Sequence, residues 1–207
     1  MGEKKKKLLI IGASGHGKVV ADIAMKSGYE EIAFLDDDKY VKFCMGFPVV
    51  GTTDSIDDKE ESDVVVAIGN SVIREKLQQK LCDKGLNVVT LIHPDAVIGQ
   101  EVSIGIGTVI MAGTVINPGT KVGKGCIINT GATVDHDNEI GDFAHVSVGS
   151  HLAGTVRVGE RSWVGAGAVV SNNITICADC VIGAGAVVVR NIDKQGTYIG
   201  VPANVVQ

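Results

Sequence analysis

Val158-Gly159-Glu160-Arg161-Ser162-Trp163-Val164-Gly165-Ala166-Gly167-Ala168-Val169-Val170 carries the rule that governs the second half of this chain. A branched aliphatic residue returns every six positions. Stepping by six in both directions gives Ile92, Ile98, Ile104, Ile110, Ile116, Val122, Ile128, Val134, Ile140, Val146, Leu152, Val158, Val164, Val170, Ile176, Ile182 and Val188, seventeen branched aliphatics without a break. Small or modest side chains dominate four residues later: Thr108, Thr114, Thr120, Cys126, Ala132, Ala144, Ser150, Ser162, Ala168, Cys180 and Ala186. Glycine often follows the aliphatic directly, at 99, 105, 123, 141, 159, 165 and 183. A period of six fits neither a helix nor a two-sided strand. It fits a parallel β-coil whose turns stack about 4.8 Å apart. Each aliphatic then points inward onto its equivalent in the next coil, and the glycines are expected to serve turns that need positive φ. The register is unbroken to residue 189, which leaves no long loop to act as a lid.

The rest of the composition shifts at about residue 92. Of 27 glycines in 207 residues, 16 fall between 92 and 189, where Leu152 is the single leucine. The first 91 residues carry ordinary helix formers such as Arg74-Glu75-Lys76-Leu77-Gln78. Two domains are therefore expected, an α/β unit over 1–91 and a β-helix over 92–207. No apolar run approaches the roughly 18 residues of a membrane span, and Met1 to Lys7 is a charged tail without the apolar stretch of a secretion signal. A cytoplasmic protein with no membrane partner is expected. The net charge of -5 and 4% aromatic content supply neither a basic stripe nor stacking platforms for nucleic acid. The run Lys4 to Lys7 reads as a solvated tail. Five cysteines, Cys44, Cys82, Cys126, Cys177 and Cys180, are an odd number expected to stay reduced. Cys177 and Cys180 have metal-like spacing, yet both fall on ordinary repeat positions and no second pair completes a site, so no metal is expected.

In the first unit, Leu8-Leu9-Ile10-Ile11 runs into Gly12-Ala13-Ser14-Gly15-His16-Gly17, and Lys18 to Ser27 reads as a helix. Strand, glycine turn and helix together aim backbone N–H groups and a helix N-terminus at an anionic phosphate. Further strands are expected over Ile32 to Leu35, Asp63 to Asn70 and Asn87 to Leu91, with a helix from Val72 to Lys84. The glycine spacing is G-x-x-G-x-G, not the dinucleotide G-x-G-x-x-G, and the unit is half-sized, which disfavours a full NAD site. Either the glycines simply make a tight turn or they bind a nucleotide. For the second case the candidate substrate contacts are Gly12, Ser14, Gly15 and His16 in the turn, with Asp36, Asp37, Gly69, Asn70 and Arg74 at strand ends.

The repeat, ending in Gly200-Val201-Pro202-Ala203, resembles the hexapeptide-repeat acyltransferases. That resemblance implies a left-handed parallel β-helix of triangular section, three hexapeptides per coil, assembled as a homotrimer; its handedness runs against the usual crossover rule. The glycine turn, with His136-Asp137 and Ala144-His145-Val146-Ser147-Val148-Gly149, narrows the resemblance to the sialic-acid O-acetyltransferases and the bacillosamine-pathway enzymes that N-acetylate a UDP-4-amino-sugar.

Acetyl transfer from a thioester to an amine needs a base near the operating pH, which suits histidine. Of five histidines, His136 follows its inward aliphatic by two and lies between Asp135 and Asp137, where a carboxylate can hold its ring. It is the candidate base. The resemblance implies the same, with Asp137 as its partner where a glutamate is usual; Asp135 is the alternative. His145, half a coil further on, must face another side of the rod, so a site shared between copies is expected. By resemblance His145 contacts acetyl-CoA, backbone at Gly154, Ala166 and Gly183-Ala184-Gly185 lines the pantetheine groove, and Asn129 lies near the acceptor. Trp163 stacks over His145 one coil on. The leading expectation is an acetyl-CoA-dependent N-acetyltransferase acting on a nucleotide-linked amino sugar. Alternatives are O-acetylation of sialic acid or a related sugar, a zinc lyase of the carbonic-anhydrase kind using His136, His145 and His151, and a non-catalytic scaffold.

Overall fold

A computed structural model describes residues 6–56 and 62–206, so Lys4 and Lys5 of the basic tail lie outside the described residues. The chain divides into two compact units between Pro94 and Asp95.

The first unit is a five-stranded sheet with two helices. β1 (Lys7–Ile11) is central, flanked by the parallel strands β2 (Glu31–Leu35) and β5 (Asp63–Val66). β3 (Phe43–Cys44) and β4 (Phe47–Gly51) complete the order β3-β4-β2-β1-β5. Leu8, Ile10, Phe34, Val64 and Val65 are buried, as strands covered on both faces require. Helix α1 (Gly15–Lys26) turns Val20, Ile23 and Ala24 inward, and α2 is Ser71–Asp83. The first helix thus begins three residues before the expected start, inside the glycine turn. The expected strand over Asp63 to Asn70 stops at Val66, freeing Ala67 to Asn70 as a loop. Asn87 to Leu91 forms no strand of its own length: it makes one bridge, Val88 to Val64, before the short Leu91–Ile92 strand.

The second unit is a three-sided coil. Two-residue parallel strands end on the periodic aliphatics and pair with equivalents 18 residues away, as in His145 with Trp163 and Thr133 with His151. One sheet runs from Val97–Ile98 to Val187–Val188 in six strands, and a second from Ser103–Ile104 to Thr175–Ile176 in five. The third carries Val109–Ile110, Ile127–Ile128, His145–Val146, Trp163–Val164 and Val181–Ile182, then Thr197–Ile199 and Asn204–Val205. The aliphatic column from Ile110 to Val188 forms one continuous core. Each such side chain contributes about 1.5–3 kcal/mol of burial. The periodic column is not inward throughout: Ile92, before the coil proper, is 37% exposed. The small residues four positions later are fully buried, and their hydroxyls are satisfied by backbone carbonyls, of the next coil where Thr120 Oγ1 donates to Asp135 O at 2.8 Å and Ser162 Oγ to Cys177 O at 2.8 Å, and of the same turn where Ser150 Oγ donates to Ser147 O at 2.7 Å.

The glycines split into two classes, which corrects the expectation for those directly after the aliphatic. These are not left-handed. They sit where adjacent coils touch: a Cβ on Gly159 would lie 2.3 Å from Ala178 N. The left-handed residues come two positions later in each corner, such as Gly167 at φ +65.

Candidate active site

One corner of the coil repeats over residues 117–120, 135–138, 153–156 and 171–174. Its third position is left-handed in each coil, at Gly119, Asp137, Thr155 and Asn173. Asp137 N donates to Pro118 O at 3.1 Å and Thr155 N to His136 O at 2.9 Å, so backbone bonds tie the corner from coil to coil. This turn throws His136 and Asp137 outward, with side chains 57% and 65% exposed. His136 Nδ1 donates to Asp137 Oδ2 at 2.8 Å. A carboxylate can only accept, so the proton is fixed on Nδ1 and the Nε2 lone pair is left to take another. The same bond, helped by the charge of Asp135, holds the His136 pKa above its ordinary 6.5.

Asp135 does not reach the ring. Its Oδ1 accepts from Asn117 Nδ2 and from His136 N, both at 2.8 Å, and these bonds keep its carboxyl below the usual range. Asn138 was not anticipated. It is fully buried, and its Nδ2 donates to Asp135 O at 2.6 Å and Ala153 O at 3.0 Å, pinning the turn that presents the histidine. The signal was an amide in an inward column otherwise held by small or aliphatic side chains.

The other expected coil residues divide between two places. Gly154 lies in the His136 corner, one coil on. Asn129, Ala166, Gly183, Ala184 and Gly185 lie in the corner that follows the His145 sheet, with Ala166 and Ala184 exposed. There Asn129 Nδ2 is 3.1 Å from His145 Nε2, and the His145 ring stacks on Trp163 with centroids 5.5 Å apart and planes within 5°. Trp163 Nε1 donates to Ser147 Oγ. Asn129 therefore belongs with His145 and not with His136 in a single chain. His151 is on a different sheet from His145, paired with Thr133 Oγ1 at 2.8 Å. Among the described residues no three His, Cys, Asp or Glu side chains converge on a point that could hold a metal. Cys177 Sγ and Cys180 Sγ are 3.3 Å apart as free thiols, and burial pushes Cys180 up to about 12.

In the first unit the glycine turn closes tightly. A Cβ on Gly17 would lie 2.1 Å from Gly12 O, so the helix packs on the bare turn. Ser14 is the N-cap of α1 without a side-chain cap bond, beside Gly15. His16, a candidate substrate contact, is largely buried: burial first, then Arg74, lowers its pKa to about 4, and its Nε2 is buried without a partner. Several expected contacts are engaged by the fold. Asp36 Oδ2 accepts from Ala13 N at 2.7 Å and Asp37 Oδ1 from Thr53 N at 2.9 Å. Asn70 Oδ1 caps α2 through Ile73 N at 3.0 Å. Arg74 is 1% exposed and donates to Ile68 O at 2.9 Å and Gly69 O at 2.8 Å, so it shapes the loop and has no open face for a ligand.

Residues 7–81 match the PglD N-terminal domain family and residues 155–190 the bacterial transferase hexapeptide family, a model of six repeats. The chain is 42% identical to the acetyltransferase domain of PglB from Neisseria gonorrhoeae FA1090, over 98% of this chain and 100% of that one, with a TM-score of 0.92; one structure of that domain is a complex with acetyl coenzyme A. It is 40% identical to perosamine N-acetyltransferase from Caulobacter crescentus, in complex with CoA and GDP-perosamine, over 100% and 98% of the two chains with a TM-score of 0.93. UDP-N-acetylbacillosamine N-acetyltransferase of Bacillus subtilis is 37% identical over 109 residues, half of this chain and half the length of that curated relative.

Proposed function

Because this chain belongs to the left-handed β-helix, hexapeptide-repeat sugar acetyltransferases with a PglD-type N-terminal domain, we propose that it moves an acetyl group from acetyl-CoA to the amine of a nucleotide-linked sugar. The observation that carries this is the His136 Nδ1 to Asp137 Oδ2 bond of 2.8 Å on an open corner. The amine attacks the thioester carbonyl carbon, a C–N bond forms and the C–S bond breaks. His136 Nε2 accepts the proton shed by nitrogen and returns it to the departing sulfur, which leaves as CoA thiol; Asp137 stabilises the intervening imidazolium. No acyl-enzyme is needed.

The nucleotide is held by the first unit, with phosphate at the turn formed by Gly12, Ser14 and Gly15 and the start of α1. Asp36, Asp37, Gly69, Asn70, Arg74 and His16 set the shape of that turn and its neighbours. On the coil, His145 and the backbone at Ala166 and Gly183 to Gly185 take acetyl-CoA, with Asn129 orienting His145. Since His136 and His145 face different sides of one coil, the complete site is built from neighbouring copies of a homotrimer. Outward apolar residues support this: Val97 is 60% and Trp163 50% exposed on two of the faces, whereas the third presents Lys121, Glu139 and Arg157. The free cysteines and the thioester donor suit the cytoplasm.

The test is a panel of UDP-, GDP-, dTDP- and CMP-linked amino sugars, with the hydroxyl analogues alongside, each incubated with acetyl-CoA. Thiol release matched one-to-one by amide formation on at least one amino sugar is expected. Acetylation confined to the hydroxyl analogues would replace this reading with O-transfer, the alternative that the fold also permits.

A further inference from the structure

The corner that carries the dyad has a glycine on each flank, where it meets the coils before and after it. Gly154 lies one coil after His136, and a Cβ there would sit 2.5 Å from His136 Nε2, 2.7 Å from Cε1 and 3.2 Å from Cδ2. Gly119 lies one coil before Asp137, and a Cβ there would sit 2.6 Å from Asp137 Oδ1. The coil-to-coil backbone bonds at Pro118 and Thr155 prevent either turn from backing away. Resting on the reading of His136 as base, we propose that Gly154 is a positioning residue: its bare Cα is the seat that lets the imidazole lie against the coil in reach of Asp137, while Gly119 leaves the room that the Asp137 carboxylate occupies.

The two glycines differ in what a substitution would do. Gly119 is left-handed at φ +76, so any side chain strains its backbone as well. Gly154 is outside that region, and alanine fits its backbone; the only group that must yield is the ring. Alanine keeps the Gly154 N–H, so contacts made by that backbone survive. The charged groups acting on the ring are Asp137 and Asp135. The neighbouring corner residues from the adjacent coils, Pro118, Gly119, Gly154 and Thr155, carry no charge. Moving the ring off its seat therefore weakens the bond to Asp137 and makes the imidazole a weaker base.

The test is Gly154→Ala in the full chain, read by NMR titration of the His136 Cε1–H and by the pH dependence of kcat/KM. The expected result is a lower His136 pKa, an acid limb moved the same way, and kcat down by about 10- to 100-fold with little change in KM for acetyl-CoA. An unchanged titration would overturn the proposal even if activity fell. A shifted titration with an unmoved acid limb would leave the seat standing and remove His136 as the base, so the two ideas fail separately. If Gly154→Ala folds poorly, the penalty is compared in the His136→Ala background. Loss of the ring should relieve it, and an equal thermal penalty in both backgrounds contradicts the seat.

Discussion

His136 was legible because it breaks the repeat at an outward position between two acids; spacing alone does not say which acid holds it, and only the resemblance favoured Asp137, whose Oδ2 is the one within 2.8 Å of the ring. The left-handed third position of the corner swings Asp137 toward the ring, and Asn117 on the preceding coil claims Asp135. Gly119 acts on Asp137, 18 residues away, and Asn138 ties its own turn at Asp135 O to Ala153 O of the next coil, so their effects are set by contacts between coils. The Asp137 bond raises the His136 pKa above 6.5 and only neutral imidazole accepts a proton, so under the proposed mechanism the acid limb of kcat/KM in the native protein is expected above pH 6.5. Asp137→Asn removes the largest cause of that shift. Its acid limb should fall toward pH 6.5, with kcat reduced by about 10- to 100-fold, in a pH–rate profile taken at saturating acetyl-CoA. A limb that stays in place would mean Asp137 does not tune the base.

At the scale of elements, the six-residue period identified the coil, but it could not separate glycines that turn the chain from glycines that let coils touch. That distinction lives in contacts across coils, such as Gly159 against Ala178 N at 2.3 Å from an added Cβ. Gly159→Ala is expected to destabilise the coil by about 1–3 kcal/mol, the cost of overpacking, measured by thermal unfolding. In the first unit the β3–β4 hairpin escaped notice. Its signal was Met45-Gly46 between apolar pairs, both residues left-handed at φ 50 and 81, the geometry of a tight two-residue turn. Sequence does not show that Arg74 is 1% exposed and bonded to Ile68 O and Gly69 O, or that Asp36 accepts from Ala13 N; both side chains hold loops. His16, in the first turn of α1, couples that element to pH. Its folded pKa of about 4 lies below the ordinary 6.5, so its contribution is present above pH 6.5 and is lost as pH falls toward 4. That contribution amounts to roughly 3 kcal/mol. His16→Gln should flatten acid destabilisation in that window, seen by circular dichroism melts across pH.

For the molecule as a whole, the change of architecture was readable from composition, because a coil of two-residue strands draws on Val, Ile and Gly, whereas α2 of the first unit uses helix formers such as Arg74-Glu75-Lys76-Leu77-Gln78. In the proposed mechanism the His136 and His145 faces, on different sides of one coil, serve one reaction by meeting between copies. Three copies would close such a site, and light scattering should return a mass three times that of the 21.5 kDa chain. The central claim is that an exposed imidazole on a coil corner takes the proton in acetyl transfer. The most direct measurement is turnover of the best nucleotide-linked amino sugar by His136→Ala, alongside its acetyl-CoA affinity by calorimetry. A fall of about 10²- to 10⁴-fold in kcat with native affinity and assembly is the predicted result, and turnover equal to the native protein's would contradict it.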